Sequence, residues 1–265
     1  MKDIILKGGD HAVLLLYGLG GSPLEVISLA TQLNQEGYAI EIPSIQGYEH
    51  AGQAGEIFRP YETWIDQVIK YFYEMRKRYE KISIGGLSLG SAVSLRMAEI
   101  LGDQVESLLL LSTTLYIDGW TIPWYQMFIP VIYFSPWRRK VFFSESEPYG
   151  IKNPERRAIA AKGMKENAVS ITGGAKISLF KIYQARRLNK IIIKNLHKVT
   201  CPILIIHARE DDTASLKNMD VIVANINSRE IEKLILEDSY HIITVDNERD
   251  KVINSCICFL KKTHD

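Results

Sequence analysis

Cysteine is scarce in this chain, which has only three among its 265 residues. Cys256 and Cys258 are two residues apart, so on a helix they would point to different faces. A disulfide framework and a cysteine-based metal site are therefore not expected, and reduced thiols are typical of a cytoplasmic protein. The sequence thus indicates a cytoplasmic location and gives no reason to expect a metal ion or another cofactor.

Long hydrophobic runs are also missing. No apolar run reaches the roughly 18 residues that a transmembrane helix requires, and residues 1–9 lack the apolar region of a signal peptide, so export is not expected. Hydrophobic residues nevertheless make up 46% of the chain, enough for a large core. The length suits one large α/β domain with an insertion, or two small domains.

Acidic residues are few in one segment of the chain. Residues 117–198 contain 15 Lys and Arg but only 5 Asp and Glu, a net charge of +10, whereas the remainder carries −9. The basic run Arg138-Arg139-Lys140 follows an apolar stretch, a combination that can rest on an anionic membrane surface. A solvated basic face is the plainer interpretation. No nucleic-acid-binding motif accompanies the charge, so nucleic acid is not an expected partner.

Short apolar segments alternate with amphipathic helices over most of the sequence. Residues 12–17 form a continuous apolar run, typical of a strand buried on both faces of a parallel sheet. The other predicted strands are 38–42, 81–85, 105–111, 202–208 and 231–236. The predicted helices are 22–35, 61–78, 91–101, 215–225 and 247–261.

This alternation is interrupted once, over residues 117–198, where no buried strand is evident. The pattern predicts an α/β fold with a mostly parallel, doubly wound sheet. Residues 1–116 and 199–265 would form the core, and residues 117–198 an inserted helical cap, or lid. The carboxyl ends of the strands meet at one edge of such a sheet, where a site is expected.

The sequence Gly86-Leu87-Ser88-Leu89-Gly90 lies between a predicted strand and a predicted helix. That is the context of a G-x-S-x-G nucleophile elbow. Flanking glycines remove the Cβ atoms that would clash in so sharp a turn. The motif therefore predicts an exposed Ser88 hydroxyl, with the Leu89 N–H directed to where an oxyanion forms.

A serine nucleophile needs a base, and the base needs a group that orients it. His241 lies between the last predicted strand and the last helix, and is a better placed candidate base than the other five histidines. Asp211 follows the strand that ends at Ala208 and is the candidate acid, with Asp212 as the alternative. An acidic loop that merely caps the next helix is the alternative interpretation of this pair.

A glycine-rich loop, residues 17–22, follows the first central strand. Its glycines allow the backbone to approach a reacting carbonyl, and the Leu19 N–H would face that group as a second oxyanion donor. The same residues also fit an ordinary strand-to-helix turn with a helix N-cap at Ser22. Both interpretations can hold together.

With these residues the chain resembles α/β-hydrolases of the bacterial carboxylesterase and monoacylglycerol lipase type. The resemblance covers nearly the whole chain and is carried by residues 12–21, 86–90, 206–211 and 240–246. It implies the α/β-hydrolase fold and a cap at residues 117–198. It also implies a catalytic triad and an oxyanion hole, formed by Ser88, Asp211, His241, Leu19 and Leu89.

Two positions depart from the family's pattern. Tyr17 stands where histidine usually precedes the oxyanion-loop glycine, and Ser91 stands where a second glycine is common. Neither departure removes a triad residue. The Tyr17 hydroxyl and the aromatic side chains Trp120, Trp124 and Phe128 are predicted to contact substrate, since such a segment is typical of a lid over an acyl pocket. Ordinary packing of the cap is the alternative.

The resemblance implies a serine hydrolase that cleaves small-molecule carboxylic esters, such as short- or medium-chain acyl esters or monoacylglycerols, through an acyl-enzyme. An acyl thioesterase or an acyltransferase acting on an anionic substrate is an alternative that the basic segment would suit. A non-catalytic binding protein of the same fold is a further alternative. Such a protein would typically have lost a triad residue, and none is missing here.

Overall fold

The computed structural model describes residues 2–49, 55–121, 136–144, 146–167, 169–170, 173–174 and 176–264. Its strands, in chain order, are β1 (Ile4–Leu6), β2 (His11–Leu16), β3 (Ala39–Ile42), β4 (Lys81–Leu87), β5 (Leu108–Leu111), β6 (Phe142–Ser144), β7 (Val169–Ser170), β8 (Gly173–Gly174), β9 (Lys176–Ser178), β10 (Ile203–Ala208) and β11 (Ile231–Leu236). Its α-helices are α1 (Ile27–Gln35), α2 (Tyr61–Arg76), α3 (Leu89–Leu101), α4 (Pro154–Asn167), α5 (Leu179–Asn195), α6 (Lys217–Asn225) and α7 (Arg249–His264).

The central sheet has seven strands in the order β1-β3-β2-β4-β5-β10-β11. All neighbouring pairs are parallel except β1 and β3, which are antiparallel. Every residue of β2, β5 and β10 is buried, as expected for strands covered on both faces. The predicted α/β-hydrolase class, with a mostly parallel sheet, is therefore confirmed.

The helices flank this sheet in two groups. Helix α1 contacts α7, whereas α3 contacts α2 and α5. The apolar side of α2 explains its packing, because Trp64, Val68 and Phe72 recur at helical spacing and are fully buried. None of the helices in the described ranges is long and apolar enough to cross a membrane.

Two features of the core differ from the sequence prediction. The edge strand β1 was not predicted, because three partly exposed residues carry no detectable periodicity. The helix predicted from residue 22 is divided into a 3-10 turn, Pro23–Glu25, and α1. The turn is separate because Ser22 and Glu25 form a capping box that satisfies the backbone N–H groups at its start.

The inserted segment, residues 117–198, also contains more than helices. Beside α4 and α5, its described residues form two small antiparallel sheets, β6 with β9 and β7 with β8. These strands have two or three residues each, too short for the alternation that predicts strands. The division of the chain into a core and a cap stays a prediction.

Candidate active site

The turn between β4 and α3 consists of Ser88 alone. Its backbone has φ 59° and ψ −121°, a conformation that non-glycine residues rarely adopt. Such conformations are found more often at functional sites than elsewhere. A Cβ on Gly86 would lie 2.3 Å from the Gly90 carbonyl carbon, and one on Gly90 would lie 2.5 Å from the Leu16 and Tyr17 carbonyl oxygens. Those atoms are backbone and cannot turn aside, so only glycine fits on either side of this serine.

Ser88, His241 and Asp211 lie within hydrogen-bond distance of one another in series. The Ser88 Oγ is 2.8 Å from the His241 Nε2, and the His241 Nδ1 is 2.8 Å from one Asp211 oxygen and 3.0 Å from the other. The loops after β4, β10 and β11 bring these three residues to the carboxyl edge of the sheet. The structure thus places together the three residues that sequence reasoning chose from separate parts of the chain.

The electrostatics of the histidine and the aspartate are coupled. Burial alone would lower the pKa of His241, but the Asp211 charge and hydrogen bond, with Asp212 and Glu25, raise it above its ordinary value. Burial alone would raise the pKa of Asp211, but the charge on His241 and hydrogen bonds from His207 and His241 hold it well below its usual range. The pair is therefore suited to carry a proton on His241.

Asp212, the alternative acid, is placed differently. One of its carboxylate oxygens accepts the His241 backbone N–H at 3.3 Å, and the other accepts the Gly150 N–H at 3.2 Å. Burial raises the pKa of this carboxyl. Asp212 thus holds the backbone of the histidine loop, and of the two aspartates only Asp211 contacts the imidazole.

In the oxyanion loop, residues 17–22, four of the five N–H groups of residues 18–22 are hydrogen-bonded within the protein. Those of Gly18 and Ser22 donate to the Glu25 carboxylate, that of Gly20 to the Tyr48 carbonyl and that of Gly21 to the Gly18 carbonyl.

Two amides near Ser88 are left for an oxyanion. Within the described ranges, the Leu19 N–H has no acceptor. Leu89 is the first residue of α3, and the first N–H groups of a helix have no acceptor within the helix. Both N–H groups are thus without a described acceptor, and their role as oxyanion donors stays a prediction.

The comparison with protein families agrees with this site. The sequence model of the family described as "Serine aminopeptidase, S33" matches residues 9–249, most of the chain. The chain belongs to the serine aminopeptidase S33 family.

Two relatives of this S33 hydrolase have names that describe enzymes acting on esters or lipids. It is 25% identical to a carboxylesterase of Bacillus subtilis (strain 168) over 261 residues, 98% of this chain and 96% of that one. It is 24% identical to the thermostable monoacylglycerol lipase of Bacillus sp. (strain H-257), over 97% and 92% of the two chains. The chain is therefore a hydrolase of the esterase and lipase type.

The S33 hydrolase also resembles solved structures. A structure from work on the metagenome-derived lipolytic enzymes LipS and LipT superposes with a TM-score of 0.82. The two chains are 21% identical, and the match covers 98% of this chain and 97% of that one. At that identity the likeness shows the shared fold.

Of the four residues predicted to contact substrate, the structure describes two, Tyr17 and Trp120. Tyr17 is fully buried, stacks edge-on with Tyr48 and directs its hydroxyl to Glu49 at 3.5 Å. Trp120 is 61% exposed, and its indole N–H donates to the Glu210 carbonyl. A role in substrate binding stays a prediction for both. The other two predicted contacts, Trp124 and Phe128, lie outside the described residues.

Three residues near the triad were not predicted from the sequence. Thr114, in the loop after β5, has its hydroxyl 3.2 Å from the Ser88 Oγ. The carboxylate of Asp246 accepts four backbone N–H groups, including that of Tyr240 next to His241. Glu25 lies beneath the oxyanion loop. The Ser-x-x-Glu spacing of the capping box was the available signal for Glu25.

Within the described part of the chain, no group of three or more His, Cys, Asp or Glu side chains is arranged to hold a metal ion.

Proposed function

We propose that this S33 hydrolase cleaves carboxylic esters through a covalent acyl-enzyme on Ser88. The observation that carries the proposal is the continuous hydrogen-bonded series from the Ser88 Oγ through the His241 imidazole to the Asp211 carboxylate. A serine hydroxyl becomes an effective nucleophile only when such a base can take its proton. The neighbouring Leu19 and Leu89 amides would bind the oxygen that becomes negative in the transition state.

The reaction would proceed in two halves. His241 Nε2 takes the Ser88 proton as the Oγ attacks the ester carbonyl, and Asp211 stabilises the imidazolium that forms. His241 then gives its proton to the alcohol oxygen as the ester bond breaks, leaving the acyl group on Ser88. His241 then takes a proton from water as its oxygen attacks the acyl carbonyl, and returns that proton to the Ser88 Oγ as the acyl–serine bond breaks, which releases the acid and restores the serine hydroxyl.

We propose short- or medium-chain acyl esters, including monoacylglycerols, as substrates. The names of the two Bacillus relatives, a carboxylesterase and a monoacylglycerol lipase, support this class. The half-buried Ser88 and the apolar segment that follows Trp120 in the sequence fit an acyl chain better than a charged group. An activity on peptides, which the name of the family suggests, has no such support from these relatives.

The basic charge of the inserted segment has partners within the protein. Lys152 lies 2.5 Å from Glu210 and 3.1 Å from Asp238, Lys181 lies 3.1 Å from Glu56, and Arg187 lies 2.8 Å from Glu62, distances measured between charged atoms. All four carboxylates belong to the acidic remainder of the chain.

These ion pairs bind the segment to the rest of the molecule. Part of the +10 charge of the segment is therefore paired with part of the −9 charge of the remainder. Contact of the basic segment with an anionic membrane surface stays a prediction.

The decisive experiment is hydrolysis of p-nitrophenyl esters from acetate to palmitate by the wild type and by Ser88→Ala. The proposal expects a maximum at one chain length and loss of turnover in the variant, with the fold kept by circular dichroism. Equal rates for both proteins would refute Ser88 as the nucleophile. Cleavage of acyl-CoA but of no oxygen ester of equal chain length would replace the esterase by a thioesterase.

The acid is tested by comparing Asp211→Asn with Asp212→Asn. Only Asp211 contacts the imidazole, so Asp211→Asn should lower kcat by about 10⁴-fold while the fold is retained. Asp212→Asn should lower kcat far less, since an asparagine oxygen can still accept the His241 N–H. The reverse order of the two losses would show that the acid is assigned wrongly.

A further inference from the structure

Glu25 is a buried carboxylate that lies against the oxyanion loop. Its side chain is 2% exposed, although it belongs to a short turn at the start of a surface helix. One carboxylate oxygen accepts the Gly18 N–H at 2.7 Å, and the other accepts the Ser22 N–H at 3.3 Å. Burial of a charged group is costly unless such bonds compensate it, so the two amides and the carboxylate depend on one another.

These two bonds lie on either side of Leu19. Because Glu25 takes the N–H of Gly18 and of Ser22, and carbonyl oxygens take those of Gly20 and Gly21, the loop is fixed at four amides. Among residues 18–22, the Leu19 N–H is the one that no described acceptor takes. The carboxylate therefore determines which amide is left to act.

The glycines of the loop fit closely against the same carboxylate. A Cβ on Gly21 would lie 2.1 Å from one Glu25 oxygen, and a Cβ on Gly18 would lie 3.0 Å from the other. Any larger residue at position 21 would displace the carboxylate. The glycines thus serve the approach of Glu25 as well as the approach of a substrate.

Glu25 also joins the oxyanion loop to the histidine loop. Its backbone carbonyl accepts the hydroxyl of Thr244 at 2.5 Å, and Thr244 lies three residues after His241. Ser88 and Asp211 contact the imidazole, and Asp212 and Glu25 act on it as nearby charges. Glu25 is thus tied to both halves of the machinery.

We propose that Glu25 is a positioning residue whose carboxylate holds the oxyanion loop in the conformation that presents the Leu19 N–H to an acyl oxyanion. The inference rests on the proposed function, because an oxyanion forms only if the hydrolase attacks a carbonyl. Glu25 also adds negative charge near His241, after Asp211 and Asp212, and so helps to raise the pKa of that histidine.

The test uses the full-length protein with Glu25→Gln, Glu25→Asp and a matched surface control, Glu36→Gln. Glu36 is exposed and pairs with Lys261 at 2.6 Å. Glutamine has the shape of glutamate but presents an NH₂ group to one of the two amides. Aspartate keeps the charge but is one methylene shorter. Each variant is assayed on the best p-nitrophenyl ester, with Ser88→Ala in parallel.

For Glu25→Gln we expect kcat to fall by about 10- to 100-fold with KM within about threefold, since an oxyanion donor acts in the transition state. The acidic limb of the kcat/KM profile should move to lower pH, because loss of a negative charge lowers the pKa of His241. Glu25→Asp should also lose kcat but keep the wild-type limb. Glu36→Gln should match the wild type in both.

Two NMR measurements test Glu25 without substrate. The Gly18 amide should lose protection from hydrogen exchange in Glu25→Gln, and the His241 ring should titrate at lower pH than in the wild type. If the wild type cleaves no ester, the esterase function fails, and these two signals still decide the role of Glu25. Unchanged kcat, unchanged limb or unchanged Gly18 exchange in Glu25→Gln would overturn the inference. A loss confined to thermal stability or to KM would also overturn it.

Discussion

Two turns at the candidate site, the nucleophile elbow (residues 86–90) and the oxyanion loop (residues 17–22), have the same task but different supports. Each follows a central strand, β4 or β2, and each is proposed to offer one N–H to an oxyanion. Backbone packing holds the elbow, with two glycines against carbonyl groups and the Ser88 N–H bonded to the Leu111 carbonyl at 2.9 Å. In the oxyanion loop, two of the four bonded N–H groups of residues 18–22 depend on one buried carboxylate, that of Glu25.

Steric support and polar support of a turn are lost through different kinds of substitution. A turn held by packing tolerates changes of charge and pH but no added volume. A turn held by a buried carboxylate is sensitive to loss of that charge, because its amides then have no acceptor. The two turns touch, since a Cβ on Gly18 would lie 3.6 Å from the Ser88 Cβ.

The largest effect is expected for Gly90→Ala, which adds volume to the elbow. The new methyl group would meet the Leu16 and Tyr17 carbonyl oxygens at 2.5 Å, so β2 or α3 must shift. We expect the free energy of unfolding, measured in urea, to fall by about 3 kcal/mol or more.

The matched control for Gly90→Ala is Gly9→Ala. Gly9 is exposed, and a Cβ there lies no closer than 3.3 Å to the Gly37 oxygen. This control should stay within about 0.5 kcal/mol of the wild type. Similar stabilities for both variants would mean that packing does not hold the elbow.

A smaller loss is expected for Thr244→Val, which separates the oxyanion loop from the histidine loop. Valine has the shape of threonine but cannot donate to the Glu25 carbonyl, and the site is fully buried. The free energy of unfolding should fall by about 1–2 kcal/mol. Thr31→Val serves as the control, since Thr31 is exposed and its hydroxyl bonds only within α1. An equal effect at both positions would contradict the link.

Ser22→Ala should cost about 1 kcal/mol of stability by thermal or urea unfolding, the usual value of an N-cap. Its hydroxyl accepts the Leu24 N–H at 3.3 Å, whereas its own N–H still bonds to Glu25. We therefore expect kcat on esters to remain within about threefold of the wild type. A loss of kcat as large as that of Glu25→Gln would show that the Ser22 hydroxyl, and not the Glu25 carboxylate, holds the loop.

The smallest effect is expected for Thr114→Val. The Thr114 hydroxyl lies 3.2 Å from the Ser88 Oγ, but the elbow does not depend on it, and the Ser88 bond to His241 is shorter. Ester hydrolysis should keep kcat within about threefold, or 0.6 kcal/mol. A fall of a hundredfold would show that a polar contact supports the elbow as well, and the contrast between the two turns would be lost.

The core of this fold was predictable because its strands are buried on both faces. The last strand, residues 231–236, was predicted with the bounds that the structure has, and the first central strand differs by one residue at each end. The proximity of Ser88, His241 and Asp211 was also predictable, because parallel strands bring the loops after them to one edge.

Other parts were beyond sequence reasoning for physical reasons. Glu25 reads as a helix-capping residue, and only tertiary packing shows that its carboxylate also takes the Gly18 N–H. The short strands of residues 117–198 lack periodicity, since they owe their order to pairing with each other. The basic charge of that segment suggested an anionic partner, which stays a prediction, and only the folded chain shows that Lys152 pairs with Glu210.

The hydrogen bonds between the inserted segment and the loop that carries His241 have a consequence for protein engineering. The Gly150 carbonyl accepts the Ile242 N–H at 2.8 Å, and the Asp246 carboxylate accepts the N–H groups of Lys152 and Asn153. Residues 150–153 of the inserted segment are thus hydrogen-bonded to the loop that carries His241. A chimera that replaces this segment with that of another hydrolase should therefore keep residues 150–153, because exchanging them would also remove backbone groups that hold the loop of His241.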